Sequence, residues 1–469
     1  MTKSFRTNLS DWSLAVPVLP QAGPRRVALY REIRRLIETA ALPTGAKLPT
    51  TRDLAKRFGL SRGAAVAAYE MLIADGFAEA RTGAGTYVAR TVPLTAASVP
   101  EPQRPRRNEA GPLPGELGCS AADERTISIF RTLLNRHLAQ PTPRHYHYAE
   151  PAGGEDLRHE IAAYLRTARG VRCTADQVIV TAGTQAALDL IIRTLLKPGD
   201  PVWLENPCYT MARLAFETAG AAIFGIRVDG QGMDVEDGIA RSPQARAVYI
   251  TPSHQFPLGV TLSMARRVAL IDWARQSGAY VIEDDYDSEY RFAGPPLAAL
   301  QGIDAHERVI YVGTFSKVLM PGFRIGYLVA PQALIEPLLT TRQMIDRFPS
   351  TLAESAIAEL LREGHFSAHI RRARRRARQA RDSLVEALAG SGLTIAPPDQ
   401  GLHLVASLPE GVGDKAFPAR AADVGFGVRA LSPMYIGAEQ RQGLVIGFSG
   451  FEPEVLAGAA RRFAATLRF

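Results

Sequence analysis

The stretch that decides the fold is Y-V-G-T-F-S-K-V-L-M-P-G-F-R-I-G-Y, residues 311–327. It begins inside an apolar strand and places Lys317, one of only a few lysines in the second part of the chain, just beyond the strand end. Hydroxyl and guanidinium side chains flank this lysine: Thr314, Ser316 and Arg324. Functional groups gather where the strands of a parallel sheet end. The stretch therefore predicts an α/β body with a reactive amine at a strand end.

Strands and helices alternate in the sequence on both sides of this stretch. Short apolar strands are predicted at 177–182, 201–205, 247–251, 280–285 and 309–314. Helices are predicted between them, at 186–196 and 265–276. This alternation predicts a mostly parallel sheet covered by helices.

Two further strand ends carry polar groups. A-G-T-Q (182–185) is a strand-to-helix turn, and the backbone amides of such a turn point toward an anion. E-D-D-Y-D-S-E-Y (283–290) offers several carboxylates and two phenols. Pyridoxal phosphate requires an amine, an acid for its ring nitrogen, and donors for its phosphate. The three segments together predict a site for this cofactor.

The first part of the chain predicts a DNA-binding fold. Helices are expected at 25–40 and from 48 onward, and the turn G-L-S-R (59–62) precedes a third helix. The apolar face of this third helix is predicted to contain Val66, Tyr69, Leu72 and Ile73. Residues 75–88 read as two short strands with a glycine turn. The pattern is a winged helix-turn-helix, whose second helix would enter the major groove.

Positive charge is concentrated in this first part. Residues 1–110 hold 17 Lys and Arg against 9 Asp and Glu, a net charge of +8 that equals the net charge of the whole chain. A neutral body with a basic arm favours a polyanion partner, most simply double-stranded DNA. A winged helix that docks only proteins is the alternative, and the charge argues against it.

Residues 91–118 are rich in Pro, Ala and Gly and show no period, which predicts a partly extended linker. The predicted organisation is thus a DNA-binding domain at 24–90, a linker at 91–118 and a large body at 119–469. Arg104, Arg106 and Arg107 in the linker either add non-specific phosphate contacts or keep it soluble.

The composition, 46% apolar and 22% charged, is that of a globular protein, and 469 residues suggest two or three domains. The sequence shows neither an apolar run that would cross a bilayer nor a signal peptide. The three cysteines, Cys119, Cys173 and Cys208, lack paired or metal-type spacing. We therefore expect a cytoplasmic protein with no membrane partner and no metal.

Residues 24–90 resemble the GntR family of winged-helix regulators. The resemblance is carried by L-P-T-T-R-D-L-A, G-L-S-R, A-A-Y-E-M-L and G-A-G-T-Y-V. It implies that DNA is contacted by Arg52, Ser61, Arg62, Arg81 and Thr86, the last two in the wing. Gly63 stands where many relatives carry a polar residue, and a glycine reads no base edge.

Residues 119–469 resemble a fold-type I pyridoxal-phosphate-dependent transferase of the aspartate aminotransferase type. The joined chain resembles the MocR branch of the GntR family, through T-P-S-H-Q-F-P-L-G (251–259) and E-D-D-Y-D-S-E-Y-R-F (283–292). This resemblance implies pyridoxal 5'-phosphate held as a Schiff base on Lys317, in a homodimer with sites at the subunit interface.

The resemblance also implies roles for other residues. Asp284 would pair with the ring nitrogen, Tyr286 would bind the ring 3-hydroxyl with His254 or Gln255, and Tyr209 would stack on the ring. The phosphate would be held by Gly183, Thr184, Thr314 and Arg324, and Tyr148 would reach the phosphate of the neighbouring subunit. Asp285, Asp287 and Glu289 could also be taken for a metal cluster, but we expect no metal at these carboxylates.

Two positions depart from the family pattern. An arginine that binds carboxylate usually stands near the C-terminus in a wording like L-R-L-G-F, whereas this chain has L-V-I-G-F (444–448), with Val445 in that place. Met211 replaces a second arginine that some sensors carry. Arg213, Arg429 or Arg441 could substitute, although none occupies the same place in the sequence.

The function favoured by the sequence is a transcriptional regulator that binds pyridoxal phosphate and senses a small amine or the cofactor itself. The alternative is an active aminotransferase with an accessory DNA-binding domain, which Val445 argues against. A body that only dimerises is a third possibility, and the set of Lys317, Asp284 and Arg324 argues against it. The arginine-rich helix 369–385 either forms a second DNA-contacting surface or is a solvated face.

Overall fold

The computed structural model describes residues 24–91, 111–119, 122–141, 146–294, 297–437 and 440–467. The chain divides into two compact units, which meet in the sequence between Glu109 and Ala110. Among the helices of the described ranges, none is long and apolar enough to cross a membrane.

The first unit is the predicted winged helix-turn-helix. Its elements are α1 (Arg25–Glu38), α2 (Thr51–Phe58), α3 (Arg62–Ala74), β1 (Ala78–Arg81) and β2 (Gly85–Val88). Thr50 caps α2 by accepting from the Asp53 amide, and Ser61 caps α3 by accepting from the Ala64 amide. Gly59 ends α2 with φ near 61°, a left-handed conformation that makes the turn between the two helices tight. β1 and β2 form an antiparallel hairpin, the wing.

The buried face of α3 differs from the predicted one. Ile73 is 38% exposed and Val66 is only half-buried, so both lie outside the core. The core face instead carries Ala65, Ala68, Tyr69 and Leu72. These positions keep helical spacing, and the two alanines allow the close packing that larger residues would prevent. Tyr69 is a core residue, and its hydroxyl donates to the Pro49 carbonyl at 2.8 Å.

The second unit is built on an eight-stranded sheet. Its strands are β3 (Val178–Thr181), β4 (Pro201–Asn206), β5 (Ala222–Asp229), β6 (Gly232–Met233), β7 (Ala247–Ile250), β8 (Tyr280–Asp285), β9 (Val309–Thr314) and β10 (Gly326–Val329). The spatial order is β3-β10-β9-β8-β7-β4-β5-β6. The central strands run parallel, whereas β10 and β6 run antiparallel to their neighbours. The mostly parallel sheet predicted from the sequence is confirmed, although β5, β6 and β10 were not predicted.

Helices cover the sheet and extend to its side. They are α4 (Glu124–Ala139), α5 (Glu155–Arg169), α6 (Thr184–Leu195), α7 (Thr210–Thr218), α8 (Val235–Arg241), α9 (Met264–Ser277), α10 (Leu300–Ile303), α11 (Gln332–Ile345), α12 (Glu354–Arg362), α13 (His365–Ala387), α14 (Phe417–Asp423) and α15 (Pro453–Ala464). The strands β3, β7 and β9 are buried along their whole length, because helices pack on both faces of a parallel sheet.

A second, smaller sheet lies in the C-terminal part. Its antiparallel strands are β11 (Thr394–Ile395), β12 (His403–Ser407), β13 (Arg429–Ala430) and β14 (Gly443–Gly447), in the order β11-β12-β14-β13. Val445 is fully buried on β14.

The last residues of the predicted linker lie against this small sheet. The Gly427 amide donates to the Pro114 carbonyl and the Gly447 amide donates to the Gly115 carbonyl, both at 2.8 Å. Gly115 has φ near 98°, and a Cβ there would stand 2.3 Å from the Gly427 carbonyl oxygen. Only glycine permits this approach. Residues 111–118 thus pack on the body, whereas Arg104, Arg106 and Arg107 lie outside the described residues.

Candidate cofactor site and DNA-binding surface

A cavity of about 270 Å³ opens at the carboxyl ends of the central strands. Most residues predicted from the sequence to bind the cofactor line it: Thr184, Tyr209, Asp284, Tyr286, Thr314, Lys317 and Arg324. They come from four separate parts of the chain, and the parallel sheet brings them together at one edge.

Lys317 lies three residues beyond the end of β9 and its side chain enters this cavity. Burial lowers the pKa of its amine, while the nearby carboxylates of Asp287 and Asp284 raise it. Burial is the larger effect, so the neutral and nucleophilic form is favoured more than in water. Gly118 closes the cavity on this side, since a Cβ there would stand 3.0 Å from the Lys317 Nζ.

Asp284, near the end of β8, is the buried acid of the cavity. Its Oδ2 accepts from the Tyr249 hydroxyl at 2.6 Å, whereas its Oδ1 has no partner among the described residues. Burial raises the pKa of this carboxyl to about 7, although the Tyr249 bond opposes the shift. A buried oxygen without a partner is costly, and a ring N–H is a group that would satisfy it. The acid therefore fits the cofactor.

The opposite end of the cavity is built for an anion. Helix α6 begins at Thr184, and Gly183 before it has φ near 95°. A Cβ on Gly183 would stand 3.5 Å from a guanidinium nitrogen of Arg324. The start of α6 and the guanidinium of Arg324 therefore face the same end of the cavity. Arg324 is itself left-handed, with φ near 52°. A helix N-terminus and a guanidinium together suit a phosphate.

Aromatic side chains form the walls. The ring of Tyr209 meets that of Phe256 edge to face at 5.7 Å. The Tyr286 hydroxyl lies 3.1 Å from His254 Nδ1 and donates to the His254 carbonyl at 3.0 Å. Gln255 instead donates to the Pro207 and Phe256 carbonyls and does not line the cavity. Of the two partners considered for Tyr286, the structure places His254 beside it.

Two histidines and a carboxylate cluster below the cavity, with ligand atoms of His254, Asp287 and His403 within 4.8 Å of one another. Two of the ring nitrogens have partners, since His254 Nδ1 contacts Asp287 at 2.9 Å and His403 Nε2 contacts the Pro257 carbonyl at 2.9 Å, whereas His254 Nε2 has none among the described residues. Burial lowers the pKa of His403 to about 3, which keeps it neutral. The cluster acts as a buried hydrogen-bonded support.

The three carboxylates at and beyond the end of β8 have separate partners. Asp285 pairs with Arg169 at 2.7 Å, Asp287 with His254, and Glu289 accepts from the Tyr164 hydroxyl at 2.8 Å.

Tyr148 is the one predicted cofactor residue that lies elsewhere. Its side chain is 65% exposed, and the guanidinium of Arg347 lies 4.0 Å from its ring centroid. Its proposed role concerns a neighbouring subunit and stays a prediction.

Several residues of the cavity were missed in the sequence. Leu117 and Gly118 belong to the stretch predicted as linker, Tyr249 lies in a predicted apolar strand, and His403 lies in a strand that was not predicted. Arg429, which the sequence offered as one of three possible substitutes for the missing arginine, lines the cavity as well. Only a polar residue in an otherwise apolar strand, such as Tyr249, offered a signal.

The predicted DNA contacts lie on the winged helix unit. Arg52 and Arg62 are exposed in the first turns of α2 and α3. Ser61 uses its hydroxyl to cap α3, at 3.2 Å from the Ala64 amide. In the wing, Arg81 pairs with Glu79 and stacks over the Tyr87 ring at 4.3 Å, while Thr86 is half-buried. Gly63 is exposed with no atom near its Cβ position.

The arginine-rich helix 369–385 lies within α13. Its predicted apolar stripe is buried, at Ala373, Ala377, Ala380 and Leu384. Arg372 pairs with Asp123 at 2.7 Å and donates to Thr126, so this arginine fastens α13 to α4. The contact favours a structural role for Arg372 over a role in DNA binding.

Two family models match the chain. The one for "Aminotransferase class I and II" matches residues 130–440, and the one for "Bacterial regulatory proteins, gntR family" matches residues 25–88. Among solved structures, the chain is similar to an archaeal alanine:glyoxylate aminotransferase, with a TM-score of 0.71 and 28% identity over 76% of this chain and 91% of that one.

Similar proteins cover both units. The chain is 36% identical to the "Probable rhizopine catabolism regulatory protein MocR" of Rhizobium meliloti, over 92% of each protein. It is 32% identical to the "HTH-type pyridoxine biosynthesis transcriptional regulator PdxR" of Corynebacterium glutamicum, over 96% of this chain and 97% of that protein.

Fold, site and similarities define a DNA-binding regulator with an aminotransferase-like domain. The chain belongs to the MocR type of the gntR family. Membership of the aminotransferase class implies pyridoxal phosphate as its cofactor, and the cavity has the amine, the acid and the anion-binding end that this group requires.

Proposed function

We propose that this regulator holds pyridoxal phosphate on Lys317 and changes its DNA binding when a small amine, or the cofactor itself, occupies the cavity. The observation that carries the proposal is that half-buried Lys317 and buried Asp284 line one cavity, with Asp284 Oδ1 unpartnered among the described residues. When bound, the cofactor supplies an aldehyde that can exchange one amine for another.

The residues of the chain would divide the work. Lys317 would hold the aldehyde covalently, and Asp284 would keep a proton on the ring nitrogen. Thr184, Thr314 and Arg324, with the Gly183 turn, would bind the phosphate. Tyr209 would cover one face of the ring and Tyr286 would bind its 3-hydroxyl. Arg52, Ser61, Arg62, Arg81 and Thr86 would contact DNA.

A homodimer accords with an exposed apolar groove between α6, α7 and α11. The most exposed apolar side chains in its lining are Met211, Leu214, Met344 and Ile345. Apolar patches of this kind usually mark a protein interface.

The test combines DNA binding with covalent cofactor capture. Fluorescence anisotropy on DNA from the gene's own upstream region, against a scrambled sequence, should show tighter binding to the native DNA. Borohydride reduction followed by mass spectrometry should place the cofactor on Lys317. Lys317→Ala should lose the adduct and the response to amine, whereas the control Lys197→Ala should keep both. A Lys317→Ala protein that responds normally to amine would contradict the proposal.

An active aminotransferase is the second candidate, favoured by the lowered pKa of Lys317, for which burial is the main cause. It predicts two complete half-reactions, with an amino donor and a keto acid as substrates, at rates typical of an enzyme, above about 1 per second.

A further inference from the structure

Arg429 stands on the face of the small sheet that is turned toward the cofactor cavity. On the antiparallel strands β13 and β14, Arg429 is directly opposite Val445. Val445 is in turn opposite Val405 on β12. Directly opposed residues project from the same face, and so do residues two apart on one strand. His403, two residues before Val405, lines the cavity, so the row Val405, Val445 and Arg429 faces the cavity as well.

The side chain of Arg429 lies at the junction of two cavities. It lines the cofactor cavity together with Tyr209 and Phe256, and the same three residues line a second cavity of about 430 Å³. Lys415 lines the second cavity too. A ligand that extends out of the cofactor cavity past Tyr209 therefore enters a space with two cationic side chains.

Arg429 is available to bind a ligand. Its side chain is exposed, and it makes no hydrogen bond or ion pair with any other described residue. Arg213, which the sequence also offered, is engaged with the Tyr435 carbonyl at 3.1 Å and with Glu217 at 3.5 Å. Burial is the main cause of the lowered pKa of Lys317, and the positive charge of Arg429 lowers it further, which places this charge within electrostatic range of the amine.

We propose that Arg429 binds the anionic group, carboxylate or sulfonate, of the amine that this regulator senses. The guanidinium lost at position 445 is thus supplied from the adjacent strand, displaced by about 4.8 Å, the spacing of neighbouring strands. This inference rests on the proposed function, because it names the chemical class of the ligand for the same cavity.

The test uses matched probes on the full-length, cofactor-loaded protein. Three acids are paired with the alcohols that lack only the carboxylate: L-alanine with L-alaninol, 3-aminopropanoate with 3-aminopropan-1-ol, and 4-aminobutanoate with 4-aminobutan-1-ol. Binding is read from the change in the visible absorbance of the cofactor. At least one acid should bind more tightly than its alcohol, and Arg429→Gln should weaken that acid about 10- to 100-fold, as expected for a bidentate charge-assisted contact.

The variants separate a ligand contact from a structural effect. Arg429→Gln should change binding of the alcohols less than about twofold, and Arg429→Lys should retain part of the preference for the acid. Arg441→Gln, an exposed arginine that lines neither cavity, should behave as the wild type. The corresponding sulfonates in place of the acids report which anion is preferred.

Each other outcome overturns the inference. If the wild type binds acids and alcohols equally, amine sensing stands and the role of Arg429 falls. If Arg429→Gln keeps the preference for the acid, another residue binds the anion. If none of the probes changes the absorbance, the inference and amine sensing both fall, while regulation by the cofactor itself remains.

Discussion

Two adjacent carboxylates, Asp284 and Asp285, should respond in opposite ways to loss of their charge. Asp284 is buried without a cationic hydrogen-bond partner, whereas Asp285 forms a buried ion pair with Arg169 at 2.7 Å. We expect Asp284→Asn to stabilise the cofactor-free protein at pH 8 while abolishing tight cofactor binding. We expect Asp285→Asn to destabilise it.

The size of each expected change in stability follows from the environment of the carboxylate that is replaced. The pKa of Asp284 rises from 3.8 to about 7, which is about 3 pKa units at about 1.4 kcal/mol each, so its ionisation destabilises the fold by about 4 kcal/mol. The asparagine amide would itself lack a full set of partners, which costs about 1–2 kcal/mol. The net gain is about 2–3 kcal/mol. Asp285→Asn leaves Arg169 buried without its charge partner, which costs about 3–5 kcal/mol.

The dependence of the stability difference on pH identifies ionisation of Asp284 as its cause. A carboxyl whose pKa is higher in the folded than in the unfolded state binds more protons when folded, so its contribution to stability falls as pH rises from 3.8 to about 7. The advantage of Asp284→Asn over the wild type should therefore be absent near pH 4 and complete at pH 8. The same comparison cancels a buried carboxyl such as Glu283, whose raised pKa is caused by burial and by Asp285.

Urea denaturation of the cofactor-free proteins at pH 5, 6.5 and 8 measures these differences. Tryptophan fluorescence reports the unfolding of the second unit, because Trp203 and Trp273 both lie in its core. A variant Asp284→Asn that is less stable than the wild type at every pH would refute the reasoning, since it would show that the acid is compensated within the protein.

Two further predictions concern a glycine beside His254 and the cap of α3. Gly401→Ala would place a Cβ 1.9 Å from the His254 ring and should lower the free energy of unfolding by about 3 kcal/mol. The control Gly411→Ala has a similar φ and nothing near its Cβ position, so it should lower the free energy of unfolding by only about 1 kcal/mol. The same urea titration measures both. Ser61→Ala removes the cap on α3 and should destabilise the DNA-binding unit by about 1 kcal/mol in thermal unfolding. Ser61→Asn can still cap the helix and should leave the stability unchanged. Equal losses of stability in both variants would show that capping is not the cause.

The sequence predicted the parts of the molecule that local patterns determine. The strands β3, β4, β7, β8 and β9 lie within one residue of their predicted ends, because each is a short apolar run followed by polar groups. The rule that chemistry gathers at strand ends placed Lys317 and the carboxylates of 283–290 in one site, and the family resemblance singled out Asp284 among them.

The pairing of strands that are distant in the sequence could not be predicted. Arg429 could be compared with Val445 only by position in the sequence, where the two are unrelated, whereas their strands place them directly opposite each other. The same limit explains residues 111–118, whose Pro and Gly content reads as linker. The glycines there permit close contact with the body, a use of glycine that composition does not distinguish from flexibility.

Residues 111–117, which dock against the small sheet, are a described part of the predicted linker. An extended chain spans about 3.4 Å per residue, so these seven residues would span up to roughly 24 Å if they left the sheet. Leu117, at the end of this segment, is part of the cavity wall. A ligand that contacts Leu117 therefore contacts the segment through which the body continues toward the N-terminal unit.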